Sequence, residues 1–110
     1  MQWEDLTHEI LLKELQKHYP DVNFKIIDEQ IKGRLGKAVE VSFQIGHTDN
    51  DIWKSNVLVH CDVQQLKGIP QGFGTAVDCF TELDEMVAYC ISTGKKWAGI
   101  KDVKKKLINS

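Results

Sequence analysis

The chain lacks any apolar run that approaches the roughly 18 residues needed for a membrane-spanning helix. Its first residues, Met1 to Asp5, also lack the basic and apolar stretches of a secretory signal peptide. Cysteine is scarce: there are three, with no Cys-x-x-Cys pair, which argues against a disulfide framework or a zinc knuckle. These absences predict a protein of the cytoplasm, a reducing compartment, with no membrane partner.

The composition that is present is ordinary for a folded domain. Hydrophobic residues make up 42% of the 110 residues and charged residues 27%, well away from the composition of disordered segments. The chain has no internal repeats or low-complexity tracts. A chain of this length predicts a single globular domain, residues 1–110, with one modest core.

Three strands are predicted after an opening helix. Residues 4–18 begin with acidic side chains and end with Lys and His before Pro20, which is typical of a helix. Residues 23–31 predict a strand, with a bulge where two Ile residues interrupt the alternation. Apolar and polar residues alternate in 39–45 and in 57–63, which predicts two strands with one face in the core and one turned outward.

A long second helix is predicted from Thr75 to Ile91, because its apolar residues recur on one helical face. Thr75 and Asp78 match a capping box, and Gly94 is the predicted stop. A short last helix is predicted from about Lys101. The fold class is therefore α+β, a three-stranded antiparallel sheet with helices packed on one face in the order α-β-β-β-α-α.

A glycine-rich segment joins the third predicted strand to this helix. Gly68, Gly72 and Gly74 lead into Thr75, and a glycine turn at a helix start can hold an anion or a phosphate on free backbone N–H groups. No Lys precedes Thr75, as it would in a P-loop, and Asp78 in the first turn would repel a phosphate. A structural crossing and a ligand-binding site both stay open.

Residues 57–75 and the long helix that follows resemble the central part of GNAT-type acetyltransferases. In that family, an Arg/Gln-x-x-Gly-x-Gly/Ala loop after a strand holds the pyrophosphate of coenzyme A. Gly72 and Gly74 match the two glycines, whereas Ile69 stands at the Arg/Gln position. The resemblance implies an alternative function, a small enzyme that binds acyl-coenzyme A or a phosphate ligand through the Gly68–Gly74 loop.

An acidic stripe is the candidate interface. Asp78, Glu82, Glu85 and Tyr89 recur at helical spacing without a basic residue between them, and Trp53 in a polar loop is a second candidate anchor. Stripes of this kind suit inhibitors that occupy basic surfaces. A solvated helix face with a packed Trp is the alternative.

The outward face of the sheet carries the few groups that could be catalytic. Pairing of the strands around a 47–55 loop would place Ser42 near His60 and Glu40 near Asp62. A His beside a carboxylate can act as a general base or a metal ligand, but no nucleophile in a recognisable motif accompanies it. No catalytic residue, metal or cofactor is therefore assigned, and the three cysteines are expected in the core.

The helix–three strands–helix order is also that of double-stranded RNA-binding domains. Acidic residues replace lysines at the start of the second helix, so we do not expect a nucleic-acid partner. Elimination leaves a small cytosolic binding protein, a stoichiometric inhibitor, immunity-type or adaptor protein whose partner has a basic surface. A homodimer through the outer sheet face is a further alternative.

Overall fold

The computed structural model describes residues 1–100, in which two helices cover one face of a five-stranded antiparallel sheet. The strands follow one another as a meander, so each is hydrogen-bonded to its sequence neighbours. A 3₁₀ turn at Trp3–Asp5 is followed by α1 (His8–His18), β1 (Phe24–Ile27), β2 (Gln30–Leu35), β3 (Val39–His47), β4 (Val57–Gln65), β5 (Gly72–Val77) and α2 (Phe80–Ala98).

The predicted three-stranded sheet is wrong, and the element order is α-β-β-β-β-β-α. One additional strand arises because the predicted strand 23–31 contains β1, a turn and only the start of β2, and β1 and β2 form a hairpin. Asp28 and Glu29 make its turn with positive φ values of 51° and 62°, while Ile27 pairs with Gln30. This is the geometry of a tight hairpin turn, and it explains the interruption that the sequence pattern attributed to a bulge.

The other additional strand is β5, which takes up the second half of the glycine segment. Thr75 lies within it, opposite Cys61 of β4, so Thr75 does not cap a helix and the predicted capping box is wrong. The helix begins at Phe80, with Cys79 as its N-cap. The predicted last helix from Lys101 lies outside the described residues.

The predicted stop of the long helix at Gly94 is also wrong. The helix continues to Ala98, and Gly99 ends it in a left-handed conformation with φ of 71°. Gly94 is instead a point of close approach, because a Cβ there would press against Leu35, Val39 and Val63 of the sheet. Gly94 is therefore needed for close packing of α2 on the sheet and does not end the helix.

The core lies between the inner face of the sheet and the two helices. The helix α1 packs on β1 and β2, and α2 packs chiefly on β3 and β4. Trp3 joins this core: its indole N–H donates to the carbonyl oxygen of Val57 at 2.8 Å, and its ring meets Phe80 edge-on at 5.0 Å. Near the end of α2, Lys95 Nζ lies 2.7 Å from Asp21 Oδ2 and ties the helix to the turn before β1.

The outer sheet face has a register different from the one predicted. Ser42 pairs with Asp62 and Gln44 with His60, so the predicted neighbours Ser42–His60 and Glu40–Asp62 are displaced by two residues. A shift of two leaves every side chain on its predicted face, because side chains alternate with a period of two. In the region from 1 to 100, both helices lie on the opposite face.

Candidate functional site

The predicted acidic stripe is divided between two roles. Asp78 precedes the helix and is buried, with 6% of its surface exposed, and its Oδ2 accepts a hydrogen bond from the backbone N–H of Lys54 at 2.6 Å. Glu82 lies in the first turn of α2, with Oε1 3.8 Å from Lys54 Nζ. These two carboxylates anchor the loop between β3 and β4, so Asp78 does not lie on an exposed interface.

Asp78, Cys79 and Glu82 bring one ligand atom each within 4.8 Å of one another. Two carboxylates and a thiol suit a divalent metal in their chemistry. Both carboxylates already have a partner in Lys54, whose backbone N–H donates to Asp78 and whose ammonium group lies beside Glu82. The cluster is therefore accounted for by attachment of the loop to the start of α2.

The rest of the stripe faces solvent. Glu85 and its neighbour Asp84 are exposed, and residues 68–94 contain no Lys, Arg or His. Tyr89 is 51% exposed and packs against Phe73 of β5 with ring centroids 5.2 Å apart. The exposed side of α2 is thus acidic near its start, where Lys54 of the loop between β3 and β4 pairs, within residues 1–100, with Glu82 only, and it joins an aromatic pair at the sheet edge.

Trp53, the second predicted anchor, is half-buried in the loop between β3 and β4. That loop is held to α2 through Lys54, its next residue. Trp53 is therefore one residue from the point at which the loop is attached to α2, and it is not on the helix.

A groove of about 500 Å³ runs between α1 and α2, and it was not predicted from the sequence. Its wall is mainly apolar, while Glu14 and Asp84 place carboxylates on opposite helices. His18 lies 3.4 Å from Glu14 across one helical turn. The apolar lining comprises Met1, Leu6, Ile10, Leu11, Leu15, Phe80, Leu83 and Val87. In the sequence, the apolar residues of α1 spread over more than one flank of the helix, and this is the signal that could have indicated a second packing surface.

The candidate ligand-binding glycines do not converge on a helix start. Gly68 has φ of 82° in the turn after β4, whereas Gly72 and Gly74 lie in β5. The turn is held by Gln65, whose side chain donates to the carbonyl of Lys67 at 2.9 Å and accepts from Gln71 at 2.8 Å. The backbone arrangement on which the anion-binding hypothesis depended is therefore not formed, since α2 begins only at Phe80.

Asp62 lies on the outer face of the sheet, in surroundings that the sequence did not predict. Its carboxylate lies over Gly74 of β5, where a Cβ would collide with it. Partial burial raises its pKa, and the nearby His60 acts in the opposite direction. Within residues 1–100 this carboxylate makes no hydrogen bond or ion pair. It borders a shallow depression of about 450 Å³ lined also by Ser42, Val63, Gln64, Gly72, Phe73 and Gly74.

The cysteines are free thiols, and two of them lie in the core as predicted. Burial raises the pKa of Cys61 far above its usual range, with smaller contributions from Cys90 and Asp62. Burial, followed by the charge of Asp62, raises the pKa of Cys90 to about 12. Both thiols therefore stay protonated near neutral pH and are poor nucleophiles. Cys79 is only partly buried, at the start of α2.

Comparisons with protein-family models, with curated proteins and with solved structures find no match for this chain. Between residues 1 and 100, neither helix has the combination of length and apolarity required to cross a membrane. Function is therefore inferred from the surfaces of the folded chain.

Proposed function

We propose that this chain is a small protein-binding domain of the inhibitor, immunity or adaptor type. It captures a partner with a basic surface through the exposed side of α2 and the adjoining groove. The observation that carries the proposal is the charge of this surface: Asp84 and Glu85 are exposed, and the chain has no basic residue from 68 to 94.

The groove supplies the apolar part of the interaction. Glu14 on α1 and Asp84 on α2 flank a wall made largely of Leu, Ile and Val side chains. A partner segment with apolar side chains between Lys or Arg residues matches this pattern. Burial of its apolar side chains would provide affinity, while the surrounding charges steer encounter and set specificity.

The proposal also includes a location in the cytoplasm. All three cysteines are unpaired thiols, and Cys61 and Cys90 are buried on the core side of the sheet and of α2. Unpaired thiols persist in a reducing environment such as the cytoplasm. A cytoplasmic partner is therefore the first to be sought.

The test is charge reversal on α2. The double variant Asp84→Lys/Glu85→Lys should lower capture of a partner from lysate at least tenfold, because attraction to a basic surface becomes repulsion. Capture by the unaltered chain should also weaken as salt is raised, since exposed charges are screened. Pull-down with quantitative mass spectrometry, followed by titration with the purified partner, measures both effects.

The matched control is Glu29→Lys/Asp49→Lys, which makes the same change in net charge at an exposed hairpin turn and an exposed loop position outside α2. This control should retain partner capture, and circular dichroism should show that both double variants fold. Equal capture by the two double variants would contradict the role of the α2 surface.

A further inference from the structure

We propose that the free edge of β5 binds an extended segment of a partner protein, which adds to the sheet as a sixth strand and places a Lys or Arg side chain beside Asp62. This inference goes beyond the proposed function, because it concerns a different surface and a specific binding mode. It uses none of the acidic residues of α2, so either surface can fail its test without the other.

The edge is defined by the hydrogen-bond pattern of β5. Gln65 N–H donates to the carbonyl oxygen of Gln71 at 2.9 Å, so residue 71 turns its backbone groups toward β4. In an antiparallel pair, alternate residues turn both groups to the same neighbour. The N–H and C=O groups of Gly72, Gly74 and Ala76 therefore point away from β4. No other strand of the described region pairs there.

Nothing in β5 blocks the approach of another strand. Exposed edges are usually protected by charged side chains, proline, bulges or a covering element. Residues 72–77 contain no charge and no proline, and α2 packs chiefly over β3 and β4. On the outer face, the residues with free backbone groups carry only hydrogen atoms or a methyl group.

Asp62 gives this edge a charge preference. Its carboxylate leans over Gly74, which has no side chain to screen it from the edge. Neighbouring strands lie about 4.8 Å apart, so an added residue opposite Gly74 would have its Cα about 10 Å from that of Asp62. A Lys or Arg side chain is long enough to reach back across the glycine, into the depression that Asp62 borders.

The inner side of the same edge favours an apolar neighbour. Phe73 is 39% exposed and forms an edge-on pair with Tyr89. Side chains that flank the basic residue in an added strand would lie on this inner side, because side chains alternate. The fitting segment therefore alternates, with Lys or Arg opposite Gly74 and apolar residues beside Phe73.

The charge pattern also selects a partner segment over a second copy of this chain. A second β5 would bring no cation, because residues 68–77 are uncharged, and would bring a second Asp62 toward the first. The two Asp62 residues would lie about three strand spacings apart, roughly 14 Å, so they would repel each other only weakly, but neither carboxylate would gain a cation. An extended basic segment satisfies both the backbone groups and the carboxylate.

The test is a titration with a capped nine-residue peptide that has Leu or Val at alternate positions, Thr at the others and Lys at the central Thr position. In ¹⁵N-labelled protein, the amide signals of Gly72, Gly74 and Ala76 should shift most and their exchange with solvent should slow. A matched peptide with Glu in place of Lys should bind about three- to tenfold more weakly, because its charge repels Asp62.

Two variants and a control separate the contribution of the Asp62 charge from that of the backbone hydrogen bonds. Asp62→Asn should remove the preference for the Lys peptide while the edge amides still respond, and Glu40→Gln, on the same face but on β3, should leave it unchanged. Ala76→Pro removes one free N–H without interrupting the ladder to β4, a placement that edge strands tolerate. It should weaken binding of both peptides, and a peptide N-methylated at alternate amides provides the same test on folded, unaltered protein.

Absence of shifts in β5 with both peptides at millimolar concentration would overturn the proposal. Shifts confined to the groove between α1 and α2 would also overturn it. If the free protein sediments as a dimer with the three edge amides already protected, the edge belongs to a second copy and the proposed occupant is wrong.

Discussion

The two edges of the sheet differ in how they are protected. The β1 edge has four residues, carries Lys25, and contributes Phe24 to the core with only 5% of its surface exposed. The β5 edge has six residues without a charge, and its aromatic residue Phe73 remains 39% exposed. Both edges are unpaired within residues 1–100, but the β1 edge is short, carries a charge and is anchored by Phe24, whereas the β5 edge is longer and uncharged. Since natural sheets usually protect their edges with charges or short strands, the β5 edge is where we expect binding.

The largest expected difference between the edges concerns their aromatic residues. Phe24→Ala removes a buried ring and should lower the free energy of unfolding by about 3–5 kcal/mol. Phe73→Ala removes a partly exposed ring and its contact with Tyr89, and should cost about 1–2 kcal/mol. Urea denaturation of both variants measures the two costs. Equal losses would show that the aromatic residue of β5 contributes as much to packing as that of β1.

The next difference concerns two glycines that each have a neighbouring side chain over them. A Cβ at Gly33 would lie 2.8 Å from the buried ring of Phe24, so Gly33→Ala should cost about 1–3 kcal/mol. At Gly74 the obstacle is the exposed carboxylate of Asp62, which can rotate into solvent. Gly74→Ala should therefore cost less than about 0.5 kcal/mol.

Thermal unfolding monitored by circular dichroism checks this pair. A loss of 1 kcal/mol lowers Tm by roughly 4–8 °C in a domain of about this size. The Gly33 variant should therefore melt several degrees below the Gly74 variant. The reverse order would mean that Asp62 is held rigidly over the edge, contrary to its expected availability to a partner.

The smallest expected effect is the pH dependence of Asp62. Its pKa is raised above the ordinary 3.8 in the folded state, so the folded chain binds this proton more tightly than the unfolded chain does. The stability gained from this proton is present below about pH 3.8 and is lost as the pH rises through the higher pKa of the folded state. Asp62→Asn should therefore give a slightly higher Tm at pH 7, and the gain should vanish below about pH 3.

The comparison for this variant is Glu40→Gln, since Glu40 lies on the same face but 3.7 Å from Arg34 and 4.0 Å from Lys32. Removal of that paired carboxylate should not raise Tm at neutral pH. If Asp62→Asn lowers Tm at pH 7, the carboxylate stabilises the fold without a partner, contrary to the proposal that it is available to bind a cation.

Regular alternation was the part of the fold that sequence reasoning predicted well. The apolar and polar positions of β3 and β4 fall on the predicted faces, and Cys61 is in the core. The hairpin turn at Asp28 and Glu29 escaped prediction because it has no glycine, although both residues adopt positive φ. Strand β5 escaped because its glycines carry no hydrophobic pattern, and its place depends on the ladder to β4.

The positions of the predicted acidic residues were correct in part. Glu85 and Tyr89 lie on the exposed side of α2 as expected, but Asp78 turns inward to accept a hydrogen bond from Lys54. That bond joins positions 24 residues apart, so helical spacing could not reveal it. The groove between α1 and α2 and the carboxylate over Gly74 likewise depend on contacts between distant segments.

Local periodicity was enough to establish an α+β protein, the core faces of its central strands and an acidic second helix, because these properties arise from residues close together in the chain. The number of strands, the start of α2 and the accessibility of Asp62 required the folded molecule. Each depends on which distant segments pair. That pairing is stabilised by long-range hydrogen bonds and packing, which cannot be recognised from any single stretch of residues.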